Sequence, residues 1–264
     1  MTKNIIKSRI REFLLITFFI TWICWGAIII ANQFGFLKYG TPLSMILFIV
    51  GGNAPPIATY ILQRKWGETD GLKSYLKRHF NFKSSLKNYS LVLVLLILHF
   101  LIPILLSSTN RQMPIYYGLM LIPINIVGGG LEEIGWRGVL QPYLEKITSF
   151  TKATVVVAVV WSIWHLPLWF IAETYQSGIS FLFFSISVLG MTFSLAVIKK
   201  ITDNVFLCIL FHSSFNSFLS IFMLDQNFST ILTALVEIVL AVVIIFSVVS
   251  FKSKSGNTNM EMIK

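Results

Sequence analysis

Eight long stretches of the chain contain almost no Lys, Arg, Asp or Glu, and this constrains the fold more than any other feature. A helix needs about 20 apolar residues to cross the hydrocarbon core of a membrane. The sequence therefore predicts an all-α polytopic membrane protein with a bundle of about eight transmembrane helices. The stretches are residues 13–37, 39–63, 88–110, 112–131, 153–172, 174–198, 204–224 and 226–251, the last interrupted by Glu237.

The composition excludes a soluble domain, a disordered chain and a disulfide scaffold. Of the 264 residues, 55% are hydrophobic and 12% are charged, whereas a soluble domain carries about 25% charged residues. The core of so short a chain is too small to bury that excess. A transmembrane β-barrel would show alternating apolar and polar residues, and runs such as 91–98 do not alternate.

The positions of the charges predict the orientation of the chain in the membrane. A net charge of +10 would suggest nucleic acid in a soluble protein, but cytoplasmic loops of membrane proteins are also rich in Lys and Arg. With eight spans, all but two of the 21 basic residues fall on the side that holds both termini, the exceptions being Lys38 and Arg111. We therefore expect cytoplasmic termini and no nucleic-acid partner.

Three further predictions concern the organisation of the chain. Leu72, Tyr75, Leu76 and Phe80 recur at helical spacing in a basic loop, which predicts a short helix on the inner membrane surface. Residues 252–264 are polar and are predicted to form a loose tail. Residues 1–264 otherwise form a single membrane-embedded domain. The bias towards Ile, Lys, Phe and Asn is typical of a low-GC bacterium and indicates the bacterial cytoplasmic membrane.

The first candidate site follows three glycines, at Glu132, Glu133 and Arg137. Glu133 and Arg137 are four residues apart, so on a helix they share a face and can pair. Glu132 points about 100° away from Glu133 around the helix. One carboxylate is thus neutralised by Arg137 and the other is free to face a cavity. Acidic residues in the first turn of a helix are the alternative interpretation.

Two more candidate sites lie in later spans. His165 is near the middle of an apolar stretch, with Trp161 one turn before it and Pro167 loosening the helix beyond it. His212 and Asn216 are four residues apart and line one face of the seventh span. Each site taken alone fits a structural histidine or a polar contact between helices.

The remaining ionisable residues of interest are given structural roles. Glu237 lies inside the last span with no partner nearby in the sequence, and we interpret it as a helix-contact residue or a lipid-facing outlier. His79 in the basic loop and His99 in the third span are left as structural.

Together the three candidate sites predict one polar cavity inside the bundle, because ionisable residues are costly in a membrane. Glu132 and His165 would act as general base and acid on a water molecule, and His212 and Asn216 would donate hydrogen bonds to an oxyanion. Glu132, His165 and His212 are also a plausible set of zinc ligands. The sequence leaves open whether no cofactor or a zinc ion is used.

These residues carry a resemblance to a known family. Glu132-Glu133-x-x-x-Arg137 resembles the EExxxR motif of the CAAX prenyl protease type II and bacteriocin-processing family, also called CPBP or Abi. Trp161-x-x-x-His165 is similar to its FxxxH motif, with Trp for Phe, and His212-x-x-x-Asn216 is similar to its HxxxN motif. The motif region covers about 128–216, and the stretch 53–56 resembles the family's upstream region.

The resemblance implies an intramembrane endopeptidase. It assigns water activation to Glu132 and His165, oxyanion stabilisation to His212 and Asn216, and supporting roles to Glu133, Arg137 and Trp161. The implied substrate is a membrane-associated peptide or lipidated protein, such as a bacteriocin, pheromone or CAAX-like precursor. Two alternatives stay open from the sequence: a non-catalytic membrane immunity factor or scaffold, and a proton-coupled transporter.

Overall fold

The computed structural model describes residues 1–106, 110–111, 113–223 and 228–261 of the chain. These residues are almost entirely helical, which confirms the predicted fold class. The helices are α1 (Lys3–Gln33), α2 (Pro42–Gly52), α3 (Ala54–Lys65), α4 (Leu72–His79), α5 (Leu86–Leu106), α6 (Ile115–Val127), α7 (Glu133–Gly135), α8 (Gln141–Glu145), α9 (Phe150–His165), α10 (Phe181–Thr202), α11 (Val205–Leu219) and α12 (Phe228–Glu261).

Short irregular elements connect these helices. Strands β1 (Asn110–Arg111) and β2 (Phe222–Met223) form a two-residue antiparallel pairing. Three 3₁₀ turns are formed by Gly130–Glu132, Leu166–Phe170 and Gln176–Gly178. One π-helical turn, Trp136–Leu140, completes the described elements.

The number of full spans is lower than the predicted eight. Among the described residues, five helices are long and apolar enough to cross a membrane, and the number rises to seven if each of two bent helix pairs is one span. The remaining candidate, α11, has 15 residues and is shorter than a full span. An apolar stretch in the sequence therefore overestimates the span when part of it forms a turn or a bend.

Both bends have a local cause. Helices α2 and α3 meet at 52°, where Asn53 separates them and Pro55 and Pro56 lie in the first turn of α3. Proline has no amide hydrogen, so it is best tolerated in the first turn of a helix, where that hydrogen has no partner within the helix. Helix α6 and the helical segment Gly130–Glu145 meet at 46°, across glycines that include Gly129 with a φ of +154°. Only glycine adopts such a backbone conformation readily.

Helix α1 forms one wall of the core. Thr21 donates a hydrogen bond to the carbonyl of Gly51 at 2.7 Å and accepts one from the indole of Trp164 at 2.7 Å. The ring of Trp25 lies directly over Gly51, where a Cβ would come within 2.5 Å of the indole nitrogen. The glycine thus allows α1 and α2 to approach closely, and the hydroxyl of Thr21 is satisfied by partners on two neighbouring helices.

The predicted short helix in the basic loop is present as α4, and one side of it packs against the rest of the protein. Leu72 and Leu76 are exposed, whereas Tyr75 is buried and donates a hydrogen bond to the carbonyl of Pro56 at 2.7 Å. His79 is buried as well, with its Nε2 3.4 Å from Oε1 of Gln63. One side of α4 is therefore attached to α3, and its position on the membrane surface stays a prediction.

The C-terminal region bears on one further prediction. The backbone of α12 is helical to Glu261, so most of the predicted loose tail is helical, and residues 262–264 lie outside the described residues. The looseness of the tail, the cytoplasmic location of both termini and the single domain stay predictions.

Candidate active site

The glycine run before Glu132 brings α11 against the start of the Gly130–Glu145 segment. A Cβ on Gly129 would lie 2.4 Å from Nδ2 of Asn216 and 3.1 Å from Nε2 of His212. A Cβ on Gly130 would lie 2.1 Å from Oγ of Ser213. Larger residues at these two positions would push α11 away, so the glycines set the distance between the first and third motifs.

Glu133 is fully buried and holds two charged or polar neighbours. Its Oε1 accepts a hydrogen bond from Nδ1 of His212 at 2.9 Å, and its Oε2 lies 3.0 Å from a terminal nitrogen of Arg137. The guanidinium of Arg137 lies over the ring of Trp161, 4.8 Å from its centroid. The i,i+4 pair expected from the sequence is thus present, and the same carboxylate also fixes the orientation of the His212 ring.

Glu132 points away from this pair and lines a cavity. Its Oε2 accepts hydrogen bonds from the indole nitrogens of Trp161 at 2.8 Å and Trp136 at 3.4 Å. The carboxylate is 6% exposed. Hydrogen bonds from two indoles stabilise a buried carboxylate in a defined orientation.

His165 lies at the C-terminal end of α9, where the helix changes to the 3₁₀ turn that contains Pro167. Its Nδ1 is 2.8 Å from the carbonyl oxygen of Trp161. A carbonyl only accepts hydrogen bonds, so Nδ1 carries the proton and Nε2 is the acceptor in the neutral ring. Trp164 and Phe184 contact the ring edge to face, with centroid distances of 4.6 and 5.1 Å.

Asn216 and His212 lie on the same face of α11, as their spacing predicts. Nδ2 of Asn216 donates to the carbonyl of Gly128 at 3.3 Å. A second amide contributes from the other side, because Nδ2 of Asn53 donates to the carbonyl of Val127 at 3.0 Å. Two asparagines thus hold the backbone that leads into Glu132.

One cavity of about 210 Å³ is lined by Glu132, His165, His212 and Asn216 together. The four residues come from the Gly130–Glu132 turn, α9 and α11. Glu133 and Arg137 lie behind them, outside the cavity lining. Much of the remaining wall is aromatic, and it is formed by Trp25, Phe48, Trp161, Tyr175, Phe183 and Phe184.

The structure does not place Glu132, His165 and His212, the zinc ligands considered from the sequence, around one metal position. In the part of the chain that the structure describes, no three His, Cys, Asp or Glu side chains are placed to bind one metal ion. The mechanism proposed below is therefore written with the side chains alone.

Sequence reasoning missed several residues around the cavity. It assigned no hydrogen bond to Trp136, although this residue is four positions after Glu132 on the same helical segment. It gave no role to Asn53 beyond the resemblance of its stretch to the family's upstream region. Glu237, which was interpreted as a helix-contact residue or a lipid-facing outlier, is buried and contacts another helix. Its Oε1 is 3.0 Å from Nδ1 of His99, a pairing that the sequence did not predict, and both residues line the cavity.

The structure is a helical bundle with several candidate membrane spans and a cavity lined by carboxylate, imidazole and amide groups. Residues 114–218 match the family model described as type II CAAX prenyl endopeptidase Rce1-like. The chain is also 28% identical to the CAAX prenyl protease 2 of Methanococcus maripaludis, over 95% of this chain and 98% of that protein. These matches confirm the family resemblance of the three motifs. The similarity to the type II CAAX prenyl proteases indicates that the chain is an intramembrane protease.

Proposed function

We propose that the four polar residues of the cavity hydrolyse a peptide bond of a membrane-associated substrate. The observation that carries this proposal is that Glu132, His165, His212 and Asn216 line one buried cavity although they come from three separate elements. General bases and oxyanion donors must act on one carbonyl group within hydrogen-bond reach. A shared cavity is the arrangement that such chemistry needs.

Glu132 and His165 prepare the water in this proposal. Oε2 of Glu132 is held by two indoles, which leaves Oε1 to accept a proton from water. Nε2 of His165 accepts the second hydrogen bond of that water and orients it. The oxygen attacks the carbonyl carbon, and Glu132 then passes the proton to the nitrogen of the leaving amine as the C–N bond breaks. The products are a carboxylic acid and an amine, which exchange the remaining proton to give a carboxylate and an ammonium group.

His212 and Asn216 stabilise the negative oxygen of the tetrahedral intermediate. Asn216 uses one N–H on Gly128 and has a second to donate. His212 donates from Nε2 when both ring nitrogens carry protons, with its Nδ1 bonded to the Glu133 carboxylate. Glu133, Arg137 and Trp161 are proposed as supporting residues that hold His212 and Glu132 in place.

The proposed substrate is a peptide or protein with an apolar segment or lipid that lies against the aromatic wall. The relative from Methanococcus maripaludis is named a CAAX prenyl protease, which supports a lipidated C-terminal substrate. The bias towards Ile, Lys, Phe and Asn supports a bacteriocin or pheromone precursor in a bacterial cytoplasmic membrane. Both are peptides presented at a membrane, and the experiment below separates them.

The test compares membrane and secreted peptides by mass spectrometry in strains that carry the wild-type gene, no gene, or Glu132→Gln at matched expression. We expect one or more peptide termini to disappear both without the gene and in Glu132→Gln. The sequence around the lost terminus identifies the substrate class. Glu173→Gln is the matched control, because Glu173 is exposed and does not line the cavity.

A terminus that disappears only in the strain without the gene would contradict the proposed role of Glu132. Purified protein provides the direct confirmation, because the substrate peptide should be cleaved by the wild-type protein and by Glu173→Gln but not by Glu132→Gln.

A further inference from the structure

A second buried polar cluster lies away from the three motifs. Oε1 of Glu237 on α12 is 3.0 Å from Nδ1 of His99 on α5, and it accepts a hydrogen bond from Oγ of Ser194 on α10 at 3.0 Å. Glu237 is 2% exposed and His99 is 4% exposed. Ionisable groups are costly at such positions in a membrane protein, and the mechanism proposed above uses none of the three.

The cluster faces the same cavity as Glu132. Thr230, Thr233, Ala234 and Glu237 all line it, and their spacing places them on one face of α12. The hydroxyl of Thr233 donates to the carbonyl of Ser229 at 2.8 Å, so its oxygen faces the cavity only as an acceptor. This side of the cavity therefore presents hydrogen-bond acceptors.

The carboxylate of Glu237 has an unused hydrogen-bonding atom. Within the described residues, Oε2 of Glu237 is buried and has no hydrogen-bond partner. Space for this oxygen depends on Gly190, where a Cβ would lie 2.4 Å from it and 2.7 Å from the Cα of Ala234. Leaving a buried carboxylate oxygen unpaired is costly, so an N–H group that reached Oε2 would stabilise the carboxylate.

We propose that Glu237 and Thr233 form a substrate subsite that accepts a hydrogen bond from an N–H group of the peptide, at a residue away from the bond that is cleaved. The N–H belongs either to the peptide backbone or to a basic side chain. The proposal rests on the proposed function in one respect, namely that the cavity holds a peptide. His99 and Ser194 orient the carboxylate of Glu237 and are positioning residues.

The test measures peptide binding rather than cleavage, so it is independent of the proposed catalytic roles. Glu132→Gln protein in lipid nanodiscs is titrated with fluorescent apolar peptides that each carry one Lys, or the isosteric norleucine, at successive positions. A parallel series carries one N-methylated backbone amide at each position. A basic side chain in the subsite gives tighter binding of Lys than of norleucine at one position, and a backbone N–H gives weaker binding of one N-methylated peptide.

The variants Glu237→Gln and Thr233→Val, each made in the Glu132→Gln protein, then show whether this preference depends on the subsite. A hydrogen bond to a charged group contributes about tenfold in affinity, and we expect the preference at that position to fall by about this factor in Glu237→Gln. Thr192→Val is the matched control, because its hydroxyl also donates to a helix carbonyl but does not line the cavity.

The proposal is overturned if the two variants keep the positional preferences of the parent protein. It is equally overturned if the parent protein shows no positional preference or binds none of the peptides. Folding is followed by size-exclusion chromatography in detergent, and Thr233→Val provides a second reading if Glu237→Gln is unstable. If Glu132→Gln loses cleavage and the subsite variants keep the positional preferences, the subsite alone is contradicted. If Glu132→Gln still cleaves the substrate, only the proposed function is contradicted.

Discussion

Replacing Gly129 with alanine is the sharpest perturbation of the active site that the structure offers. The new methyl carbon would lie 2.4 Å from Nδ2 of Asn216, and ordinary contact begins at 3.4 Å, so the amide must retreat by about 1 Å. A displacement of about 1 Å in a catalytic group costs about 100-fold in rate, which corresponds to about 2.7 kcal/mol of activation free energy. The φ of +154° adds backbone strain for alanine.

The assay is the initial rate of cleavage of the substrate peptide by purified Gly129→Ala, at saturating and at low peptide concentration. We expect kcat to fall by about 100-fold, with a smaller change in KM because the aromatic wall is untouched. Gly26→Ala is the control, since nothing lies within 4 Å of a Cβ at that position. A well-folded Gly129→Ala protein with wild-type kcat would refute the reasoning that these glycines position Asn216 and His212.

Three further outcomes follow from the site and its surroundings. Glu133→Gln weakens the hydrogen bond to His212 and leaves the buried Arg137 without its counter-charge. We therefore expect a lower Tm together with a fall in kcat of at least tenfold. An unchanged Tm would contradict the importance of the buried pair. Trp161→Phe keeps an aromatic ring but removes the indole that donates to Glu132 at 2.8 Å. We expect kcat for peptide cleavage to fall by about tenfold, while size-exclusion chromatography shows a folded protein. Burial, with the positive charges of Arg78 and Lys199 nearby, lowers the pKa of His79 to about 4 from an ordinary value of 6.5. The folded protein therefore favours neutral His79, and stability should be lost by about 3 kcal/mol as the pH falls from about 6.5 to 4. In His79→Gln this acid-dependent part of the unfolding curve should be absent.

The sequence predicted the class of fold because apolar stretches and charge positions are local signals. It overestimated the number of spans because the charge-free stretch 39–63 contains a 52° bend at Asn53, and the stretch 204–224 yields the 15-residue helix α11. An uncharged polar residue that breaks a helix does not interrupt a stretch defined by the absence of charged residues. A search for such stretches therefore does not detect the bend.

For the candidate site, the sequence predicted contacts between residues one helical turn apart, but not contacts between residues far apart in the chain. The pairing of Glu133 with Arg137 follows from their helical spacing, and the structure places them 3.0 Å apart. The pairing of His99 with Glu237 joins residues 138 positions apart in the sequence, and no local pattern connects them. The bond between Glu133 and His212 joins residues 79 positions apart, and it too has no local pattern because it depends on how α11 packs against the glycine run.

The length of α11 affects the supply of a reactant. Fifteen residues of α-helix are about 22 Å long, whereas the hydrocarbon core of a bilayer is about 30 Å thick. Either the ends of α11 lie inside the protein at the depth of the hydrocarbon core, or the lipid headgroups are drawn inward around these ends. Where the headgroups are drawn inward, fewer layers of apolar material separate His212 and Asn216 from the aqueous phase. Water is the second substrate of every peptide hydrolysis, so a short helix at this position shortens its route to the bond that is cut.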